Sequence, residues 1–506
     1  MKIVTIAIAA SALMLAACGD DVEQVLEVEH SQEVQGVLHE ISQERAVESL
    51  RNFLRASDSN GLKSLSSERE LIIDNVLSVK KSQADGNKAL AAMDGEGNLL
   101  YVANFSNNNG YAILAADDRI GCDVLAVIDE GSMSEEGIQL ALAKSSSERR
   151  VYDGYPLTGD GFYTVPEYPG EVFMNPNTVS LYDEKEKDTY VGNFSLDDEE
   201  SYVYGGLKAY QRAPTLDEIE RMGLGECAGY ASNQVQNSKY SQRTIDISPE
   251  CKNNIIDWKP LSSWHQESPF NSNHPRRRKG IIFGKRRQVK CGCFPLAIAK
   301  VMTKLRYPTK YYVNEQEINW DMLNADLLPK NDTTGEKAKF PTEAQNRMVA
   351  SLLYSVSESC HSKYFYQGTF TFPNKAESFL RSIGFRDADS YDYDYGRIKE
   401  MIDRQCPVII YAVHNLAIWD SHAWNIDGYK EQRQRVEKVR NADGVVVEVT
   451  ETVNRYVHCD YGWSGAANGF YFSGIFEKGK AHSLDGKDAV ERFKYNTHKK
   501  IIMYGK

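Results

Sequence analysis

The 506-residue sequence predicts an α+β protein of two or three domains. Three observations carry that prediction. Strand-like text bounded by turn-forming residues occurs at 99–128 and again at 421–472. Between them, at 294–305, stands one strongly periodic apolar helix. Charge is also divided along the chain. Residues 1–240 carry 19 Lys+Arg against 40 Asp+Glu, a net −21, while residues 241–506 carry 40 against 31, a net +9. An acidic half and a basic half of one chain attract each other. The length exceeds one common-sized core. An apolar content of 42% with 26% charged residues excludes disordered and fibrous classes. No apolar run reaches the roughly 20 residues a spanning helix needs, which excludes a polytopic membrane protein.

At the N-terminus, Met1-Lys2 precedes an apolar stretch from Ile3 to Ala17 that ends in Leu15-Ala16-Ala17-Cys18-Gly19. A run of about 15 residues fits a signal segment and falls short of a membrane span. The small-small-Cys ending resembles the bacterial lipobox. That resemblance implies a signal peptide over 1–17, lipidation of Cys18, and a mature chain held by its lipid on a membrane surface outside the cytoplasm.

The elements that follow are acidic. Val47, Leu50 and Leu54 recur at helical spacing and predict an amphipathic helix over 44–54. Two apolar runs, 99–105 and 110–116, flank Ser106-Asn107-Asn108-Asn109 and predict a hairpin, with a third strand at 123–128. From 150 to 245 the text is rich in Tyr, Gly, Pro and acids, as expected of a solvated, loop-rich insert. The eight cysteines beyond Cys18 are scattered and do not form a small-domain disulfide framework. Cys360-His361 and His458-Cys459 are adjacent, so on strands they point to opposite faces and chelate poorly. No metal and no cofactor are expected.

The second half concentrates the chemistry. In Gly292-Cys293-Phe294-Pro295, proline is placed where a first helical turn tolerates it. Phe294, Ile298, Val301, Met302 and Leu305 then continue one helix face. A thiol at a helix start meets unpaired N–H groups and the positive dipole end, which favour the thiolate nucleophile. Ser421–Tyr429 reads as a strand with His422, Trp424 and Ile426 on one face. Tyr456–Asp460 leads into the turn Tyr461-Gly462-Trp463-Ser464-Gly465, and Trp264-His265-Gln266 lies upstream of the cysteine. An amide donor, a cysteine on a helix, a histidine on a strand and a polar orienter, in that order, are the parts of a papain-like thiol hydrolase.

From about 250 to 506 the sequence resembles the streptopain-type (C10) cysteine peptidases. The family's Gly-Cys-x-Ala-x-Ala-x-Ala helix start matches Gly292 to Ala299, with Pro295 for the first alanine. Its Gly-His-Ala-x-x-Ile-Asp-Gly strand matches Ser421 to Gly428, and its Trp-x-Gln-x-x-Pro-Tyr-Asn segment matches Trp264 to Asn271. Its Asn-Trp-Gly-Trp-Gly-Gly turn appears as Asp460 to Gly465, with Asp for Asn and Tyr461 for Trp. The stretch from about 45 to 150 resembles that family's propeptide, through Leu100–Ala116 and the Asp117-Asp118-Arg119 corner.

The resemblance implies a papain-like catalytic domain over 246–506, with a helical lobe and a twisted antiparallel lobe. Residues 18–245 then form an acidic α+β prodomain that inhibits the same chain, and protein or peptide substrates are expected. It assigns Cys293 as nucleophile, His422 as its ion-pair partner, Gln266 as oxyanion donor, Asp460 as the group orienting His422, and Trp463 as cover for that bond. His458, on the face of Asp460, is the rival base. The insert Lys430–Asn454 predicts a long hairpin turning at Asn441–Gly444. Lys239 and Arg243 read as cleavage candidates in a polar linker. The basic run from Arg276 to Lys290 reads as a solvated face, a substrate exosite or a prodomain dock, and no nucleic-acid partner is expected. Two other classes fit parts of the text: a Cys-His-Asp acyltransferase resembling transglutaminases, and a non-catalytic adhesin or inhibitor on the same fold.

Overall fold

The computed structural model describes residues 39–58, 72–81, 97–143, 162–164, 172–174, 222–258, 260–278, 286–324, 342–364, 368–414, 417–476 and 497–505. The expected signal segment 1–17, Cys18, most of residues 150–221 of the expected 150–245 insert, and residues 279–285 of the basic run lie outside the described residues.

The acidic half builds the expected helix and three-stranded meander, with one strand added. Helix α1 (Gln43–Asp58) is followed by β1 (Ile73–Lys80), β2 (Asn98–Phe105), β3 (Tyr111–Ala115) and β4 (Val124–Ile128), joined antiparallel in that order. The buried stripe of α1 is Ala46, Ser49, Leu50 and Phe53, turned from the expected Val47 and Leu54, which are only half-buried. Phe53 causes the rotation. Its ring reaches across to Tyr456 (4.9 Å) and Phe470 (6.5 Å) of the second half, and burying a Phe contributes about 1.5–3 kcal/mol. Helices α2 (Glu135–Ala143) and α3 (Met222–Asn237) complete this half. Strands β3 and β4 are buried at every position, because α1 and α3 both pack on the sheet.

In the second half, α4 (Cys293–Leu305) is buried along most of its length. Around it lie α5 (Trp320–Asn324), α6 (Glu343–Ser359), α7 (Pro373–Ser382) and α8 (Tyr395–Asp403). Thr342 and Gln345 form a capping box that starts α6. The strands are β5 (Tyr240–Ile255), β6 (Arg386–Asp392), β7 (Val408–His414), β8 (Ala417–Arg440), β9 (Val446–Asp460), β10 (Gly469–Phe472) and β11 (Thr497–Gly505). As expected, β8 and β9 make one long hairpin that turns at 441–444.

These eleven strands form a single sheet, ordered β1-β2-β3-β4-β10-β9-β8-β7-β11-β6, with β5 paired to β8. The two halves are therefore stitched by backbone. Gly469, Phe470 and Tyr471 of β10 pair with Ile128, Val127 and Ala126 of β4. Gly469 sits at φ 157°, and a Cβ there would lie 2.2 Å from the Val127 carbonyl oxygen, so only glycine lets the strands close.

Strand β5 corrects one expectation. Arg243 does not lie in an open linker: it pairs with Glu437 in the sheet and its Nε donates to Asp118 at 3.4 Å, while Lys239 is exposed in the short connection ahead of the strand. The first half of β5 touches the acidic half. Ser241 Oγ lies 3.0 Å from His39 Nδ1, and Thr244 Oγ1 donates to Asp123 at 3.2 Å. Past its C-terminal end, the Ile256 N–H donates to the Asp427 carbonyl at 2.8 Å. The strand runs unbroken through the expected boundary at 245/246.

A buried charge marks the same seam. His458 Nδ1 lies 2.6 Å from Asp427 and its Nε2 lies 3.0 Å from Asp129 of the acidic half. Burial alone would lower this imidazole, but the two carboxylates outweigh it and hold His458 well above its ordinary value. A raised histidine contributes fully below its unfolded value of about 6.5 and loses the contribution as pH rises through the folded value. Docking of the two halves is therefore expected to loosen in alkali. Asp129→Asn should remove about 1.5–3 kcal/mol of it and flatten the pH dependence. Limited proteolysis across a pH series checks this; an unchanged cleavage rate in the variant would count against the seam charge.

Candidate active site

Helix α4 begins as the sequence predicts. Gly292, at φ 93°, turns the chain into the helix without a side-chain cap, so the first N–H groups stay available near Cys293. Cys293 is half-buried. Burial pushes its thiol above the ordinary range, and the backbone N–H groups of Ala423, Phe294 and Cys293 itself pull it back. The thiol thus lies against β8 at the residue after His422.

His422 is 2% exposed and held between aromatic rings. It stacks with Trp424 (5.8 Å between centroids), Tyr461 (6.2 Å) and Trp463 (5.4 Å). Its Nε2 lies 2.9 Å from the Tyr461 carbonyl oxygen and 3.2 Å from Nε1 of Trp463. The carbonyl can only accept and the indole N–H can only donate, so the two compete for Nε2, and the shorter contact, to Tyr461, favours the proton on Nε2. In that tautomer Nδ1 carries the lone pair a base needs.

Asp460 departs from its expected role. It is completely buried, and both carboxylate oxygens are engaged away from His422. Oδ2 accepts from Lys300 Nζ at 2.7 Å and from the Trp258 indole, while Oδ1 accepts from the Gly462 N–H at 2.9 Å. The physical reason is charge. A buried carboxylate is stable only beside a buried cation, and Lys300, likewise fully buried, supplies it. The direct contacts to the ring come instead from Tyr461 and Trp463.

Gln266 is 5% exposed. Its carbonyl accepts from the Cys291 N–H at 3.0 Å, and the neighbouring His265 bridges in backbone to Trp463, so three of the expected segments meet. Lys290 caps this junction, 2.8 Å from Glu267 and 5.1 Å over the Trp463 ring. In the basic run, Arg276–Arg278 and Arg286–Gln288 form a short antiparallel ribbon, and Arg277 Nε donates to the Tyr364 carbonyl at 3.3 Å. His458, the rival base, lies in the seam between Asp427 and Asp129.

Two site residues escaped the sequence reading, Lys300 and Trp258. Lys300 carried a signal: it stands seven residues after Cys293, hence on the same face of α4, within an otherwise apolar run. Trp258 carried none, lying 202 residues from its partner in sequence.

Comparison with known proteins finds two family matches and one similar solved structure. Residues 264–471 match the family model of the peptidase C10 family, and residues 38–148 match that of the Spi protease inhibitor. No curated protein matches the chain. Among solved structures the chain is similar to one described as the structure of active wild-type Prevotella intermedia interpain A cysteine protease. The two are 19% identical with a TM-score of 0.32, over 49% of this chain and 95% of that one. Gln266, Cys293, His422, Asp460 and Trp463 all fall inside the C10 match. The chain is a cysteine-type peptidase whose residues 264–471 match the peptidase C10 family, and ahead of that region residues 38–148 match the Spi inhibitor type.

Proposed function

We propose that the chain is the zymogen of a cysteine endopeptidase exported and held on the cell envelope by a lipid on Cys18. The reading rests on one observation above others: Cys293 opens a buried helix and lies against the strand residue next to His422. In the reaction, Nδ1 of His422 takes the thiol proton and the thiolate attacks the scissile carbonyl carbon. Gln266 and the Cys293 N–H stabilise the oxyanion. The C–N bond then breaks as the imidazolium gives its proton to the leaving amine, and water hydrolyses the acyl-enzyme. Until activation, the acidic half occupies the β10 edge and the thiol stays buried and protonated.

The lipid anchor follows from the Leu15–Gly19 text alone. Labelling of membrane fractions with a radioactive fatty acid, lost on Cys18→Ala, tests it. Treatment of the processed chain with an epoxide thiol inhibitor, followed by peptide mapping, tests the enzyme. The label is expected on Cys293 and not on Cys122, Cys227, Cys291, Cys360 or Cys459, all buried. A label that misses Cys293 sinks the proposal. Gln266→Ala should lower kcat about 100- to 1000-fold with a smaller change in KM, the loss typical of one oxyanion donor.

A further inference from the structure

We propose that Lys300 is a positioning residue of the peptidase, acting on His422 through Asp460 and the turn that follows it. The inference rests on the cysteine-peptidase reading and goes beyond it to a residue with no direct contact to the ring.

The observations form a chain of contacts. Lys300 and Cys293 share one face of α4, two turns apart. The Lys300 ammonium is wholly buried and lies 2.7 Å from Oδ2 of Asp460, which the Trp258 indole N–H also reaches. The other oxygen, Oδ1, holds the Gly462 N–H at 2.9 Å, so the carboxylate clamps the backbone of the turn. Between Asp460 and Gly462 lies Tyr461, whose carbonyl holds Nε2 of His422 at 2.9 Å. One residue further on, the Trp463 indole faces the same nitrogen at 3.2 Å. The helix that carries the nucleophile is thus tied by an ion pair to the turn that orients the base.

The charge of Asp460 is what calls for Lys300. The streptopain-type turn has asparagine where this chain has Asp460, and a neutral amide needs no buried cation. A carboxylate there without Lys300 would either take up a proton or reach for the nearest cation, which during catalysis is the His422 imidazolium. Lys300 keeps the negative charge occupied, so that a backbone carbonyl sets the ring. Removing one partner of a fully buried pair is severe, whereas replacing both by neutral groups is tolerated.

The test compares Lys300→Met, Asp460→Asn and the double variant in the full chain, under conditions where the parent hydrolyses peptides. Lys300→Met should lower kcat/KM on the order of 10- to 100-fold. It should also move the alkaline limb of the kcat/KM–pH profile, which reports the imidazolium, upward by about one unit, because an uncompensated carboxylate then lies close by. The double variant should recover most of the activity and return the limb to the parent's position.

A Lys300→Met profile identical to the parent's, with only a lower Tm, overturns the proposal, since a merely structural lysine would behave that way. If Lys300→Met fails to fold, the double variant decides: recovery supports the charge compensation, and a folded but inactive double variant overturns it. Failure of the enzyme reading itself is separate and shows as undiminished hydrolysis in Cys293→Ala.

Discussion

Cys293→Ser is expected to lower peptide hydrolysis by about four orders of magnitude or more, the scale on which loss of a central catalytic group acts. The substitution is close to isosteric, and the N–H groups of Ala423 and Phe294 still face the side chain. What changes is ionisation. A thiol near 8.5 in water can be brought to a thiolate by a helix start and a neighbouring imidazolium, whereas a serine hydroxyl cannot. Hydrolysis of a fluorogenic peptide measures the loss, and a stoichiometric epoxide titration of the parent fixes the concentration of sites. Activity within tenfold of the parent would remove Cys293 from the nucleophile's role.

The second large effect is expected at a residue remote from the chemistry. Gly469→Val places a branched side chain where even a Cβ would sit 2.2 Å from the Val127 carbonyl oxygen and 2.8 Å from the Ile128 Cα. Strands β4 and β10 cannot remain paired around it, and the penalty is about 3 kcal/mol, at the upper end of overpacking costs. The three backbone-paired positions of the seam are lost together with the Asp129 N–H bond to the Asn468 carbonyl at 2.9 Å. The full-length variant should expose the acidic half to limited proteolysis and, if the acidic half holds the peptidase silent as proposed, alkylate at Cys293 faster than the parent at neutral pH. Parent-like rates in both measurements would show that the seam does not govern access to the thiol.

Much of this was legible in the text because local rules dominate locally. The 3.6-residue period and Pro295 place Cys293 at the start of α4, and the Asn-rich cluster at 106–109 joins β2 to β3. The 441–444 turn closes the β8–β9 hairpin for the same kind of reason. What was not legible depends on partners distant in sequence. Asp460 reads as an orienting carboxylate until Lys300, 160 residues away, takes it. Strand β5 reads as a linker because its residues are polar, yet it lies along the projecting part of β8, where a strand has no apolar face to advertise. The overall charge asymmetry predicts attraction between halves, and the structure joins them through a few specific contacts, among them Asp118 with Arg243 and Asp129 with His458. Net charge contains no information about which side chains meet.

The unbroken run of β5 makes detachment of the N-terminal part a two-stage event. A scission anywhere before Tyr240 severs the covalent tether but leaves sixteen residues clasped along β8 as a permanent fixture of the peptidase. The departing portion must then peel from both β10 and the front of that strand. Scission and release should accordingly have separate rates, and a nicked but still associated species should accumulate whenever the peeling is slower.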